Sequence, residues 1–491
     1  MLHLENLLLL PFEHFLVAEV FIAISSLMLL IYAVIKGDKH SNQISCYGVA
    51  ILILAAFCVG ELGADGSGVD GFLLYLKQLI CILSALCLLL FIGHSRYNIR
   101  NSRAEFPVLI LFSVVGALIL ISARDFLSFY LGLELMSFAL YILTAINRGN
   151  IKSQEAALKY FVLGCLSSGF ILFGISILYG VSGSIYFSEI ANNINVIAEV
   201  SSINNVALIL PVIFIIIGLL FKVSAVPFHM WAPDVYEGSP TPVTVFIASV
   251  PKVAVFIIFF RILQEPFASL AYHYEKIIYL VAMLSLVVGA LGAINQTNFK
   301  RLLAYSAMNH VGFMLIALVH VDDESLKALL LYLTVYSVVV IGAFAFLMVV
   351  KQSHFSNDVA DKKPLEDLSA LSGLSKQSPY AAFAITILML SMAGLPPFAG
   401  FFGKFFIFMV ALNNSFIEIV ILGAITTVIA AFYYLRIIKI IYFDKATEEY
   451  IKKPALATVV VLVITVLFNL LLFLSPSVLL GVIEQSAAFI F

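Results

Sequence analysis

Apolar runs long enough to cross a bilayer alternate with short polar connectors along almost the whole chain. A hydrocarbon core of about 30 Å needs roughly 20 apolar residues in a helix. By that measure the first six helices fall near 14–35, 44–60, 71–92, 106–122, 125–146 and 156–180. Eight more fall near 206–236, 241–263, 277–295, 302–319, 326–350, 379–412, 416–441 and 455–482. The pattern predicts an all-α polytopic membrane protein of about 14 transmembrane helices. A membrane β-barrel would show roughly ten-residue alternating segments instead, and the sequence has no such dyad pattern.

Composition agrees. Of 491 residues, 62% are hydrophobic and 11% charged, against roughly 45–50% and 25% in a soluble domain. A water-soluble globular protein is excluded. The net charge of −2, with no basic block or acidic tail, gives no reason to expect a nucleic-acid partner. Cys46, Cys58, Cys81, Cys87 and Cys165 lie in apolar stretches without a CxxC pair, so they read as buried small hydrophobes and not as metal ligands. The first residues, MLHLENLLLLPFEHF, lack the basic start of a cleavable signal, and the N-terminus is expected to be retained.

Where the charges lie tests the helix count, because Lys and Arg are enriched in cytoplasmic loops. One alternate set of connectors holds sixteen basic residues, from Lys36 and Lys39 through Lys362, Lys363 and Lys453. The other set, with both termini, holds only Arg124 and Lys276, alongside Glu61, Asp65, Asp70, Glu189 and Asp322. Both termini are therefore expected to face away from the cytoplasm. A missed helix would have scrambled this alternation.

Two helices carry interruptions. The seventh reads KVSAVPFHMWAP in its middle, where Pro227 and Pro233 should break it. The twelfth reads LSMAGLPPFAGFFGKF, where Gly394, Pro396 and Pro397 should do the same. Gly/Pro-interrupted segments at corresponding places of two halves point to a transporter's ion site. The breaks are five helices apart, an odd number, which implies two inverted five-helix repeats. The expected division is 1–105 for three N-terminal helices, 106–265 and 277–443 for the repeats, and 454–491 for the last helix.

Nine basic residues remain inside the helices. Lys77, Lys159, Arg261, Lys327, Arg436 and Lys439 lie near helix ends and are expected to snorkel. Lys222, Lys252 and Lys404 sit mid-segment or beside a break, where a lysine costs about 2.5–3.5 kcal/mol by insertion scales. Glu134 in the fifth helix is the natural counter-ion for Lys222, with Glu19 a weaker acid in the first helix. Such a pair is either a proton-transfer element or a static pin between helices. His310 in the tenth helix is a candidate relay. Lys222 precedes its break and Lys404 follows one, so the helix dipole is expected to favour charge on the first and oppose it on the second.

At these residues the sequence resembles the antiporter-like membrane-arm subunits of respiratory complex I, and among them the N-type subunits of NADH:quinone oxidoreductase. The resemblance runs from the fourth to the thirteenth helix. It rests on FKVSAVPFHMWAPDVYEGSPTPV (221–243), KRLLAYSAMNHVGF (300–313) and LPPFAGFFGKF (395–405). VYEGSPTPV is similar to the N-type in particular, and a lysine at 404 fits the N- and L-types. One departure is Met308 and Asn309, where smaller residues are expected before the histidine.

The resemblance implies proton translocation through Glu134, Lys222, Lys252 and Lys404, driven at a distance by quinone reduction in other subunits. It also implies membership of a hetero-oligomeric complex in a bacterial inner membrane. NADH, FMN, iron–sulfur clusters and quinone would be bound by other subunits and no cofactor or metal by this chain. The alternatives are a subunit of an Mrp-type cation/proton antiporter or membrane-bound hydrogenase, or a membrane scaffold.

Overall fold

The computed structural model describes residues 17–64, 71–97, 103–200, 206–353, 366–446 and 454–487. Part of the sequence argument rests on the N-terminal segment, Asp65, Asp70, Lys362, Lys363 and Lys453, which lie outside them. The described residues are helical, without a β-strand longer than an isolated bridge.

Three helices come first among the described residues: α1 Val17–Lys36, α2 Ser41–Ala64 and α3 Gly71–Tyr97. The next five crossings are α4 Glu105–Ser122, α5 Phe126–Thr144 and α6 Ile151–Ser182, then two split ones. Between α6 and the first split crossing lies α7, Phe187–Val200. The split crossings are α8 Val206–Lys222 with α9 Ala232–Gly238, and α10 Thr241–Ala248 with α11 Val250–Gln264. A further five follow: α12 Ala271–Ile294, α13 Phe299–Val319 and α14 Asp323–Ser353, then, after the short α15 Leu374–Gln377, the split α16 Pro379–Ala393 with α17 Ala399–Asn413, and α18 Ile417–Phe443. The last crossing is α19 Leu456–Leu474, followed by α20 Pro476–Ala487. Among the described residues twelve spans are long and apolar enough to cross a membrane. With the two crossings broken at α8/α9 and α16/α17 the count is fourteen, and the protein is a multi-pass membrane protein.

The polar connectors gather at two faces. At one, Arg103 pairs with Asp38 at 2.8 Å, Lys152 with Glu237 at 2.9 Å and Arg301 with Asp234 at 2.7 Å. These residues come from the basic set, so the structure brings that set to a single face. At the other face Arg261 donates to the Ile121 carbonyl and Glu275 meets His320. An odd error in the helix count would have mixed the two.

Inverted repetition is visible in matching contacts. Phe126 N–H donates to Ile185 O and Phe187 N–H to Arg124 O, closing a bridge between Asp125 and Tyr186. Phe299 N–H donates to Glu366 O and Leu368 N–H to Thr297 O, closing a bridge between Asn298 and Asp367 on the opposite face. Asp125 and Asn298 also cap α5 and α13 with their side chains. The fifth crossing of each set carries an arginine onto the end of the first: Arg261 onto Ile121 O at 2.6 Å, and Arg436 onto Ile294 O at 2.6 Å. Small residues allow the closest crossings. A Cβ at Gly116 would lie 2.4 Å from the Met136 nitrogen, and one at Gly289 would lie 2.4 Å from the Asn309 nitrogen.

The seventh and twelfth crossings are broken as expected, and several details are corrected. The seventh crossing ends at Lys222, ahead of Pro227: Ser224 takes a left-handed φ of 63°, its N–H bonds to Phe221 O and that of Ala225 to Leu220 O. This is a Schellman closure. Pro233 does not break a helix, because it sits in the first turn of α9, where a missing N–H costs nothing. Gly394 (φ 81°) closes α16 with the same pair of bonds, from Gly394 to Ser391 and from Leu395 to Leu390. The eighth crossing, read in the sequence as one apolar run over 241–263, is interrupted at Ser249, because Pro251 cannot donate to the preceding turn. The fourteenth stops at Ser475, ahead of Pro476, with α20 beyond it. The segment 187–200, expected as connector, is helical, with Phe187, Ile190 and Ile194 buried at helical spacing. Of the cysteines only Cys81 and Cys87 are buried, whereas Cys46, Cys58 and Cys165 lie on the apolar outer surface.

Candidate functional site

Glu134, Ser137 and Tyr141 stand three and four residues apart on α5, so their side chains share one stripe of that helix. Lys222, the last residue of α8, reaches this stripe. Its Nζ lies 3.6 Å from Glu134 Oε1. It donates to the hydroxyls of Ser137 at 3.2 Å, Tyr141 at 3.3 Å and Ser168 at 3.2 Å. Ser168 in turn donates to Glu134 Oε1. An ammonium has three N–H groups, so the three hydroxyls occupy all of them and Ser168 links lysine to carboxylate. Tyr141 enters because Gly164 leaves room: a Cβ there would lie 2.0 Å from the tyrosine oxygen.

Lys252 follows the interruption at Ser249 and is 3% exposed. Its Nζ donates to Tyr336 Oη at 3.3 Å and lies 5.4 Å from the centre of that ring. One turn earlier on α14, Tyr332 Oη is 2.7 Å from His310 Nδ1. The other ring nitrogen, Nε2, is 3.2 Å from Tyr434 Oη, which also meets Ser306 Oγ at 2.5 Å. Both nitrogens of His310 are engaged, and in its neutral form one hydroxyl must donate to the ring while the other accepts from it. Asn309, the departure noted in the sequence, turns away and donates to Leu286 O at 2.9 Å, tying α13 to α12.

Lys404 corrects the dipole expectation. It belongs to α17, but its Nζ donates to the carbonyl of Ala393 at 3.0 Å, the last residue of α16. The ammonium therefore sits at a carboxyl-terminal helix end, where unpaired carbonyls favour a cation. Both marked lysines meet the end of the first half-helix of their broken crossing. Phe313 lies under the ammonium, 5.0 Å away at its ring centre. Between His310, Tyr332, Tyr336, Ser391 and Lys404 is a cavity of about 20 Å³. About 10–15 Å³ suffices for one water molecule.

A larger cavity of about 580 Å³ opens at the basic face, lined among others by His94, Lys152, Glu237, Lys300, Lys351 and Glu366. It lies over the start of α10, the crossing that leads to Lys252. Lys300 is 3.4 Å from Glu366 Oε1, and Lys351 pairs with the same oxygen. Burial alone would raise the Glu366 carboxyl, but Lys300 and Lys351 overcome it and hold the group down at about 2.

Of the six side chains expected to snorkel, Lys159, Lys327 and Lys439 are partly exposed in ion pairs near helix ends. Arg261 and Arg436 cap backbone carbonyls. Lys77 contradicts the expectation. It is 4% exposed and pairs with Glu19 at 2.7 Å inside the protein. Sequence reasoning also missed the hydroxyls that surround the charges. Their signal is helical spacing, as in Glu134/Ser137/Tyr141 and Tyr332/Tyr336.

The NADH:quinone oxidoreductase/Mrp antiporter transmembrane family matches residues 123–430. The chain is 41% identical over 479 residues to an NADH-quinone oxidoreductase subunit N from Rhodospirillum rubrum, covering 96% of each. It superposes on a chain of respiratory complex I from Thermus thermophilus with a TM-score of 0.76 at 30% identity, covering 94% of this chain and 98% of that one. A chain of the membrane-bound sulfane sulfur reductase, an archaeal respiratory complex, gives 0.83 at 23% identity, covering 97% of each, which shows a shared fold. With paired breaks, buried lysines and near-full-length identity in agreement, the chain belongs to the NADH:quinone oxidoreductase/Mrp antiporter membrane family, in its subunit N branch.

Proposed function

We propose that the chain is a proton-translocating, non-redox subunit N of an NADH:quinone oxidoreductase. Protons move along the buried row of Glu134, Lys222, Lys252, His310 and Lys404 while other subunits pass electrons to quinone. NADH, FMN, iron–sulfur clusters and quinone belong to those subunits, and this chain binds none of them. Its partners are other membrane-arm subunits and lipid, to which it presents apolar side chains such as Leu127, Leu131 and Phe138. The membrane is a bacterial inner membrane, with the basic face in the cytoplasm and both termini periplasmic. Against the alternatives of an Mrp-type antiporter or hydrogenase subunit, the near-full-length identity is to subunit N.

The observation that carries this reading is the environment of Lys222. A pin between helices needs only a carboxylate, and an apolar pair would pin at lower cost. Here three hydroxyls and a carboxylate converge on one buried ammonium at the end of a broken helix. Hydroxyls accept and donate, so they support proton exchange. The test is Glu134→Gln in the intact complex, which removes the counter-charge and keeps the size. NADH-driven proton pumping is expected to fall, with partial recovery in Glu134→Asp. Normal pumping in Glu134→Gln leaves the pair as a pin and sinks the reading.

A further inference from the structure

A second ionisable pair lies apart from this row. Glu19 stands in the first turn of α1 and Lys77 in the second turn of α3, 3% and 4% exposed. Lys77 Nζ meets Glu19 Oε1 at 2.7 Å, and the Ser122 hydroxyl, at the end of α4, donates to the same oxygen at 3.1 Å. One carboxylate oxygen takes both contacts. The other, Oε2, is buried without a hydrogen-bond partner among the described residues. A buried carboxylate oxygen left unsatisfied is strongly unfavourable, so its retention needs an explanation beyond packing.

Position supplies one. Ser122 ends α4 at the face with few basic residues, and α1 begins there, so the pair sits close to the face opposite the large cavity. Two residues before Lys77, the Tyr75 hydroxyl is 2.7 Å from Thr334 Oγ1. Thr334 stands on α14 between Tyr332 and Tyr336, whose hydroxyls engage His310 and Lys252. Helix α3 thus touches α14 on one side and carries the ion pair on another.

We propose that Glu19 and Lys77 form a second proton-loading site of the chain, in which Glu19 Oε2 takes a proton from hydronium and returns it to water during transport. The proposal rests on the proton-transfer function proposed above. An O–H bond forms at Oε2 as one breaks in hydronium, and release reverses this. Lys77 keeps its proton throughout, so the pair passes from neutral to singly positive and back. No electron moves.

The test uses the intact complex in sealed membranes and reads protons moved per electron passed from NADH. Replacing the pair by Glu19→Leu with Lys77→Met keeps apolar contacts among α1, α3 and α4. A lowered proton-to-electron ratio with quinone reduction retained is expected. The wild-type ratio in this double variant overturns the proposal. A parallel Lys404→Met variant separates the two readings: normal pumping there sinks the broader function, whereas impaired pumping there beside a normal double variant sinks the second site alone. Redox-triggered infrared difference spectra give a readout that does not need the double variant to assemble. A carboxyl C=O band that shifts in Glu19→Asp is expected, and spectra identical to wild type in that region overturn the proposal.

Discussion

At the scale of single residues, the site is governed by how many partners a buried charge can satisfy. Lys222 spends its three N–H groups on Ser137, Tyr141 and Ser168, and Glu134 is reached through Ser168. Lys404 has a carbonyl partner in place of a carboxylate, and that contact depends on Gly394. Its φ of 81° is one that side chains adopt at a cost of roughly 1–2 kcal/mol. A Cβ there would also lie 2.7 Å from Lys404 Cδ. Gly394→Ala is therefore expected to displace the ammonium from Ala393 and to lower proton pumping in an assembled complex. Unchanged pumping would show that this contact is dispensable. The lysines and Glu134 were conspicuous in the sequence because a charge inside an apolar helix is rare. Tyr332, Tyr336 and Tyr434 were not, since a tyrosine in an apolar run reads equally well as packing, and only the distances to His310 and Lys252 distinguish the two. Lys77 was misread for a related reason: closeness to a helix end in sequence does not reveal that α1 covers it.

Among elements, the breaks decide the geometry, and their positions follow from backbone chemistry. Prolines marked the right segments, but the helices end earlier, where Ser224 and Gly394 turn left-handed and close the last carbonyls. Gly394 was readable as a cap. Ser224 was not, because a serine gives no such signal without its neighbours in place. Glu366 and Asp367 are held on the α12–α13 turn by the bridge between Asn298 and Asp367 and by the pairing of Glu366 with Lys300 and Lys351. Glu366 has a folded value of about 2 against an ordinary 4.5. A depressed carboxyl stabilises fully above its unfolded value and loses that contribution as pH falls through the folded one. Thermal unfolding of the detergent-purified protein should show Glu366→Gln less stable than wild type above pH 4.5, with the gap closing towards pH 2. A gap that persists undiminished at pH 2 would contradict this role of the clasp.

Over the whole molecule, the alternation of charge across connectors foretold the two faces, and the matching arginine caps and bridges at opposite faces give the inverted repeat physical form. The orientation predicts labelling. In a cysteine-free background, Lys376→Cys should resist a membrane-impermeant thiol reagent added outside, whereas Asn413→Cys, on the other face, should react. The reverse pattern would invert the protein. The charged row lies between these faces. Under the proposed function a proton leaves and returns to Lys222. Arginine keeps the positive charge at that position but is effectively always protonated. The most direct measurement is the number of protons pumped per electron by intact complex carrying Lys222→Arg. The complex is expected to assemble and to pump far fewer protons per electron than wild type. Normal pumping at the wild-type ratio would contradict this role of Lys222.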